Sequence, residues 1–475
     1  MLALPPALNG ETQHARVTRA LREQIRSGER GPGERLPGSR ELARLWGVAR
    51  NTVDGAFEQL RDEGYLEVRP RSGTYVVPLP APELPSSDPG PPLRLSAWAR
   101  RALDGQGVQG TAPAGTHASF IDFRLGRHSS GLFPSEQWAQ ALSRSAGDVA
   151  LSPPDARGPL ITRSALCEWL RRERGAVLTP DMLLLTGGAQ EALDALSRLL
   201  LEPGRLAVLE DPGYPGARAA FQATGAELWP LPVDGGGACL GELPAQAVLA
   251  YLTPGTQFPS GVTLGAARRS ALLEWSRRAG AWILEDDYAA DLHFSARAPL
   301  CLQGEAPGRV LLLGTFSNSL SPALRSGYLV APALVTDLLT RTRPVTQRTP
   351  PTLDALALAE FLSGGGYARH LRRARGELRT RHEALVGALR LALPTWPVTP
   401  AAAGTHLYLP LPPGYAELDL QTRAAEHGLG LSVSGEYRLG GETSAQALLL
   451  AFAHLQPGAL REGVGRLAEV VGTQR

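Results

Sequence analysis

Residues 314–330 read GTFSNSLSPALRSGYLV. They continue an apolar run, RVLLL at 309–313, that has the length of a buried strand and then breaks into hydroxyls, a proline and glycines. Thr315, Ser317 and Arg325 form a set suited to a phosphate, because short hydroxyls and a planar guanidinium match its oxygens. The same texture recurs in DMLLLTGG (181–188), RLAVLEDPGY (205–214), AVLAYLTPG (247–255) and AWILEDDY (281–288). From Ser119 onward, amphipathic helical periods separate these runs. Strands alternating with helices predict βαβ units and an α/β fold with a mostly parallel sheet flanked by helices.

The ends of these strands carry the polar chemistry. TGGAQEAL (186–193) follows a strand and opens a helix, so the backbone N–H groups of Gly188, Ala189 and Gln190 face an anion there. EDPGYPG (210–216) puts Tyr214 on a loop, where its ring can stack on a planar group. EDDY (285–288) ends another strand, with Asp286 suited to pair with a ring-nitrogen cation and Tyr288 to donate to a phenolate oxygen. Each motif is weak singly. An aspartate at a strand end is more often a cap or a structural partner, a loop tyrosine usually packs, and a phosphate set serves any nucleotide.

Residues 11–77 have a different texture. Val17, Leu21 and Ile25 mark an amphipathic helix. In LPGSRELARLWGVARNTVDGAFEQLRDEGYLEVRPRSGTYV (36–76), Ser39 is the expected N-cap of a second helix that ends at Gly47, with Leu42 and Leu45 inward. A third carries Val53, Phe57 and Leu60 on one face. Two short helices joined by a tight turn form a helix-turn-helix, and YLEVRPRSGTYV (65–76) reads as a two-strand wing. Arg50, Asn51 and Thr52, at the start of the third helix, are placed to meet base edges in the major groove. Arg40 is placed for phosphate or base, and Arg69, Arg71, Ser72 and Gly73 reach backbone or minor groove from the wing. The zone holds 12 arginines against 10 acidic residues, so the pattern and not the charge decides for double-stranded DNA.

At 475 residues with 43% hydrophobic and 20% charged content, the chain is an ordinary globular protein of two or three domains. No run of about 18 apolar residues predicts a membrane span, and the start lacks a signal-peptide pattern. Cys167, Cys239 and Cys301 are odd in number and scattered, which points to reduced thiols, a cytoplasmic location and no metal site. The Pro/Gly/Ser-rich stretch at 78–118 reads as a linker with one short helix, between a DNA-binding domain at 11–77 and a large domain at 119–475. All 48 basic residues are arginine; the chain contains no lysine.

The stretch at 36–76 is similar to the GntR-family winged helix, with Ala49, Gly55 and Arg71 as small departures; a glycine is common at position 71. The later motifs, in their order behind that winged helix, resemble the MocR subfamily of GntR regulators. FRLGRHSSGLFPSEQW (123–138) and GYARHLRRAR (366–375) resemble two further blocks of it. The resemblance implies a type I aminotransferase-like domain that binds pyridoxal 5′-phosphate, with a large subdomain at about 150–335 and a smaller C-terminal α+β subdomain at about 345–475. It also implies a head-to-tail homodimer and a small-molecule effector. Against the family's pattern, Asn318 stands at the Schiff-base lysine, Thr256 at a usual histidine, Ala289, Ala290 and Asp291 at a typical DSE, and Leu449 at the arginine that holds a substrate carboxylate.

A carboxamide cannot replace an amine nucleophile, because its nitrogen lone pair is delocalised. No other side chain here supplies an amine. The expectation is therefore a cytoplasmic transcriptional regulator, not an enzyme, that dimerises and holds pyridoxal phosphate or an amino-acid adduct without a covalent bond. Two alternatives stay open: a lysine-independent pyridoxal-phosphate enzyme with a DNA-binding head, and a regulator whose vestigial pocket binds no cofactor.

Overall fold

The computed structural model describes residues 4–78, 94–105, 120–127, 130–149, 155–241, 243–294, 298–440 and 446–472. Most of the expected linker, at 79–93 and 106–118, lies outside the described residues. The chain divides into two compact units, Met1–Arg94 and Leu95–Arg475.

The first unit contains α1 (Gln13–Arg26), α2 (Ser39–Trp46), α3 (Arg50–Asp62), β1 (Leu66–Arg69) and β2 (Gly73–Val76). Its core is Val17, Leu21, Ile25, Leu42, Val53, Ala56 and Leu60, all buried. Gly47 ends α2 in the left-handed conformation, φ 65, and so turns the chain into α3. The strands form an antiparallel hairpin, with Leu66 opposite Val76 and Arg69 opposite Gly73.

Two local expectations are corrected. The N-cap of α2 is Gly38, without a side-chain bond, and Ser39 is the first helical residue. Leu45 is 46% exposed; the buried stripe of α2 is Leu42, Ala43 and Trp46. The glycine in α3 also has a reason: a Cβ on Gly55 would stand 3.1 Å from the His14 ring, so close approach of α1 offsets its poor helix propensity.

The second unit begins with α4 (Ala97–Asp104), β3 (Ile121–Asp122), α5 (Ser135–Val149) and α6 (Leu160–Arg174). Its main sheet is built from β4 (Leu183–Thr186), β5 (Leu206–Asp211), β6 (Glu227–Asp234), β7 (Gly237–Ala238), β8 (Ala247–Leu252), β9 (Trp282–Asp286), β10 (Val310–Thr315) and β11 (Gly327–Val330). Spatial order is β4-β11-β10-β9-β8-β5-β6-β7. From β10 to β6 every neighbour is parallel, whereas β11 runs antiparallel to β10 and β4, and β7 to β6.

Helices α7 (Ala189–Leu200), α8 (Pro215–Thr224), α9 (Ala266–Ala279) and α10 (Ala333–Thr342) flank this sheet. Leu193, Leu196 and Phe221 pack with Leu249, Leu313 and Leu329 in one core, and Leu272 and Trp275 pack with Val208 and Ile283 in another. Helix α4 is anchored on α8, where Arg101 Nε donates to Ala223 O at 3.1 Å. The chain continues through α11 (Thr352–Ser363) and α12 (Gly366–Ala392), then β12 (His406–Pro410) and α13 (Glu417–Glu426). Short strands β13 (Leu429–Gly430) and β14 (Ser432–Val433), β15 (Ala447–Ala451) and α14 (Pro457–Gly472) complete it.

Strands β12, β15 and β14 form a small antiparallel sheet, so this end is α+β in character. Strand β3 pairs with β13, and Phe123 packs tightly over Gly463 of α14, so residues near 121 join the C-terminal end of the chain. Among the described residues no helix is long and apolar enough to cross a membrane.

Candidate functional site

Strands β10, β9, β8 and β5 run parallel side by side, and the edge at their C-terminal ends is where an open α/β sheet is expected to bind a ligand. Register aligns Thr186 of β4 with Gly327 of β11, and Gly327 with Thr315 of β10. Gly327 makes this approach possible: a Cβ there would lie 2.8 Å from Gly314 O and 2.9 Å from Gly188 Cα.

One side of this edge is formed by a helix start and a guanidinium. Helix α7 has Gly188 as its N-cap, at φ 107 and without a side-chain cap, so the N–H groups of its first turn, Ala189 and Gln190 among them, stay open. Arg325, held at φ 45, brings its guanidinium carbon to 3.9 Å from the Cβ position of Gly188. It is exposed and has no carboxylate partner among the described residues. Thr315 Oγ1 donates to Ser317 Oγ at 3.0 Å and accepts from Ser317 N at 3.2 Å, which fixes both hydroxyls. The side chain of Gln190 instead donates to Gly216 O at 3.1 Å and so ties α7 to the Tyr214 loop.

The other side is buried and electrically incomplete. Asp286 Oδ2 accepts from the Tyr251 hydroxyl at 2.7 Å, while Oδ1 is buried without a partner. The Tyr288 hydroxyl is also buried without a partner. Burial pushes the Asp286 carboxyl up to about 7, against the hydrogen bond from Tyr251 and despite the backbone N–H of Tyr288. Burial likewise raises Tyr214; Asp286 adds to this and Arg325 opposes it. The Tyr214 and Tyr288 rings each meet Phe258 edge-on, with centroids 5.9 Å away. Asn318 Nδ2 donates to Tyr288 O at 3.3 Å.

Of the residues expected from the sequence, Gly188, Arg325, Thr315 and Ser317 come together at one strand edge, and Tyr214 and Tyr288 both meet Phe258. Sequence reasoning missed their supports. Tyr251 holds Asp286, and a lone tyrosine in the aliphatic run AVLAYL was the available signal, since a buried hydroxyl needs a partner. Glu191 accepts from Gly187 N at 2.6 Å and pairs with Arg343 at 2.9 Å beside the helix start. Glu210 is raised to about 7 by burial and is held by the Thr253 hydroxyl and backbone N–H. The pairing of Glu191 with Arg343 and the contacts of Glu210 with Thr253 cross long sequence separations and left no local pattern.

In the first unit, Arg50, Asn51 and Thr52 form the first turn of α3, whose N-cap Ala49 makes no side-chain bond. Arg50 Nε lies 3.3 Å from Asp54 Oδ2, with both side chains about half exposed. Arg40 lies exposed in the first turn of α2. At the wing, Arg69 pairs with Glu67 at 2.6 Å and sits over the Tyr75 ring at 4.4 Å. Arg71 is exposed at φ 62, and Ser72 Oγ is 2.6 Å from the Tyr75 hydroxyl. Gly73, at φ 130, has Arg35 Nε 2.8 Å from its Cβ position, so Arg35 joins this edge; the sequence reading had passed over it.

Residues 13–76 match the bacterial regulatory proteins of the gntR family, and residues 124–449 match aminotransferase class I and II. The chain is 34% identical to the probable rhizopine catabolism regulatory protein MocR of Rhizobium meliloti, over 96% of this chain and 92% of that one. It is 33% identical to the HTH-type transcriptional regulator TauR of Rhodobacter capsulatus, over 98% of both. The HTH-type pyridoxine biosynthesis transcriptional regulator PdxR of Corynebacterium glutamicum is 30% identical over 99% of both. Among solved structures, the α-aminoadipate aminotransferase LysN of Thermus thermophilus, complexed with N-(5′-phosphopyridoxyl)-L-leucine, superposes with TM-score 0.67 at 28% identity. It covers 80% of this chain and 95% of its own. A helix-turn-helix unit ahead of an aminotransferase fold, shared along nearly the whole length with transcriptional regulators, makes this chain a member of the MocR subfamily of GntR-type DNA-binding regulators.

Proposed function

We propose that the second unit senses pyridoxal 5′-phosphate, or its adduct with an amino acid, held without a covalent bond, and that occupancy sets operator binding by the first. One observation carries this reading: a buried carboxylate oxygen on Asp286 and a buried hydroxyl on Tyr288, both unpartnered, beside an uncapped helix start and the guanidinium of Arg325. Buried polar groups are rarely left unpaired, and those that are call for a ligand.

The donor set fits the cofactor. Asp286 would hold its ring nitrogen, Tyr288 its phenolic oxygen and Tyr214 its ring. Gly188, Ala189, Gln190, Thr315, Ser317 and Arg325 would hold its phosphate. When bound, pyridoxal phosphate supplies an electrophilic carbonyl carbon on an electron-withdrawing ring. Asn318 takes the family's lysine position in this reading, and a chain without lysine has no side-chain amine to attach the cofactor or to carry protons on and off a substrate carbon. The unit is then a silent sensor rather than a transaminase. It also dimerises, head to tail, and presents two recognition helices to paired half-sites.

Calorimetric titration of the whole protein with pyridoxal phosphate, with and without operator DNA, tests this. Saturable binding is expected, with ligand and DNA changing each other's affinity by the same factor. Borohydride followed by mass spectrometry should leave no cofactor on the chain. No binding at all would make the pocket vestigial; a reduced covalent adduct would overturn non-covalent binding, and turnover of an amino donor would make the chain an enzyme.

A further inference from the structure

About half of the described arginines pair with a carboxylate. Arg144 with Glu360, Arg198 with Asp194, Arg268 with Asp234, Arg269 with Glu305 and Arg423 with Asp419 are examples in the second unit. The first half of α12 gathers several of the others. Arg369, Arg372, Arg373, Arg375 and Arg379 have no carboxylate partner among the described residues, and all but the half-buried Arg375 are exposed. Three of them spend donors on backbone carbonyls, Arg373 on Leu132, Arg375 on Asp291 and Arg379 on Phe294, which fixes the side chains; the buried Asp291 carboxyl partly offsets the charge of Arg375. Glu377, the acid within this stretch, lies 3.8 Å from Arg381.

Spacing puts the five on one side of the helix. At 3.6 residues per turn, positions 369, 372, 373, 375 and 379 fall within an arc of about 160°. The opposite arc carries Tyr367, His370, Leu371, Ala374 and Leu378, all buried in the core. The helix is thus pinned by its apolar side and presents a rigid cationic row.

A row of fixed guanidinium groups suits a regularly spaced polyanion, and double-stranded DNA is the polyanion this family binds. We infer that the α12 arginine row is a second, sequence-independent DNA contact, which takes phosphates of duplex flanking the operator read by the first unit. This rests on DNA binding by the winged helix and not on the cofactor reading.

The test uses the full chain and a duplex selected from random sequence, trimmed to its footprint or extended by two helical turns on each side. The triple variant Arg372→Ala/Arg373→Ala/Arg379→Ala should bind the trimmed duplex as the parent does. On the extended duplex it should lose roughly tenfold or more in affinity, and the slope of log affinity against log salt should fall by about 2–3. The corresponding triple lysine variant should restore both, since phosphate contact needs charge rather than a planar fork. Equal behaviour of parent and alanine variant on the extended duplex, or the same loss on both duplexes, would overturn the inference. Failure of the parent to select any duplex would instead remove DNA binding itself.

Discussion

Two helices of this protein begin the same way in different surroundings. Both α3 and α7 start without a side-chain cap, on Ala49 and Gly188, so each leaves backbone donors and the positive end of its dipole unsatisfied. Around α3 the surface is open: Arg50 and Asn51 are exposed, and Arg40, Arg69 and Arg71 of the same unit are exposed as well. Around α7, Gly327 lets two strands close in, Glu191 and Arg343 pair beside it, and a single unpaired guanidinium, Arg325, is left. An uncapped helix start is therefore only half of a recognition device. In the function proposed above, what surrounds it decides whether the anion is a long duplex or one small phosphate.

The largest test of that contrast is Arg325→Ala. Loss of a charged partner facing phosphate should cost about 2–5 kcal/mol of pyridoxal phosphate affinity, read by calorimetry. Operator affinity without ligand should not change, because Arg325 belongs to the second unit alone. A fall in ligand-free DNA binding would show that the two helix starts are not independent.

Asp286→Asn tests the buried side. The Asp286 carboxyl is raised from its ordinary 3.8 to about 7 by burial. Between those values the native state holds a proton that the unfolded chain has lost, so this group makes stability fall as pH rises from about 4 to about 7. Glu210 and Glu285, also raised to about 7, act in the same direction, so the difference between variant and parent isolates Asp286. The asparagine variant should be more stable than the parent at pH 8 by on the order of 1–3 kcal/mol and equally stable at pH 4. Denaturant midpoints at the two pH values read this out, and the variant's affinity for pyridoxal phosphate should fall. A stabilised variant that keeps full ligand affinity would remove Asp286 from the site.

On the open side, Arg50→Ala should weaken operator binding by about 1–3 kcal/mol and relax specificity at one base pair. Unchanged affinity would sink the recognition-helix assignment. The 3.3 Å contact with Asp54 sharpens this: Asp54→Ala frees the guanidinium and should raise non-specific DNA binding slightly, with a steeper salt dependence.

The two sites were not equally legible in the sequence. The winged helix is short and local, so Val17, Leu21, Val53 and Leu60 announced their burial by spacing, and Gly47 announced its turn. What failed there was fine detail: Ser39 was expected as the cap that Gly38 provides, and Leu45 as core where Trp46 is buried. For the second site, strand ends located Asp286, Thr315 and Gly188, because polar residues after an apolar run stand out. Its supporting bonds, Tyr251 to Asp286 and Arg343 to Glu191, join residues far apart in the chain and follow no period. The pairing of β3 with β13, which draws residues near 121 to the C-terminal sheets, was hidden for the same reason.

The smallest effect separates fold from function at one residue. Arg71 sits at φ 62, where an L-residue other than glycine, asparagine or aspartate is strained by roughly 1–2 kcal/mol. Glycine removes that strain but costs roughly 0.5–1 kcal/mol more chain entropy on folding. Arg71→Gly should therefore stabilise the first unit by no more than about 1.5 kcal/mol. If the arginine is kept there for phosphate, the same change should weaken DNA binding uniformly across sequences and lower the salt slope by about one. Opposite signs in thermal midpoint and DNA affinity are the expected pair of results. A variant that gains stability and loses no affinity would leave Arg71 as strain without a partner, and would confine recognition to the start of α3.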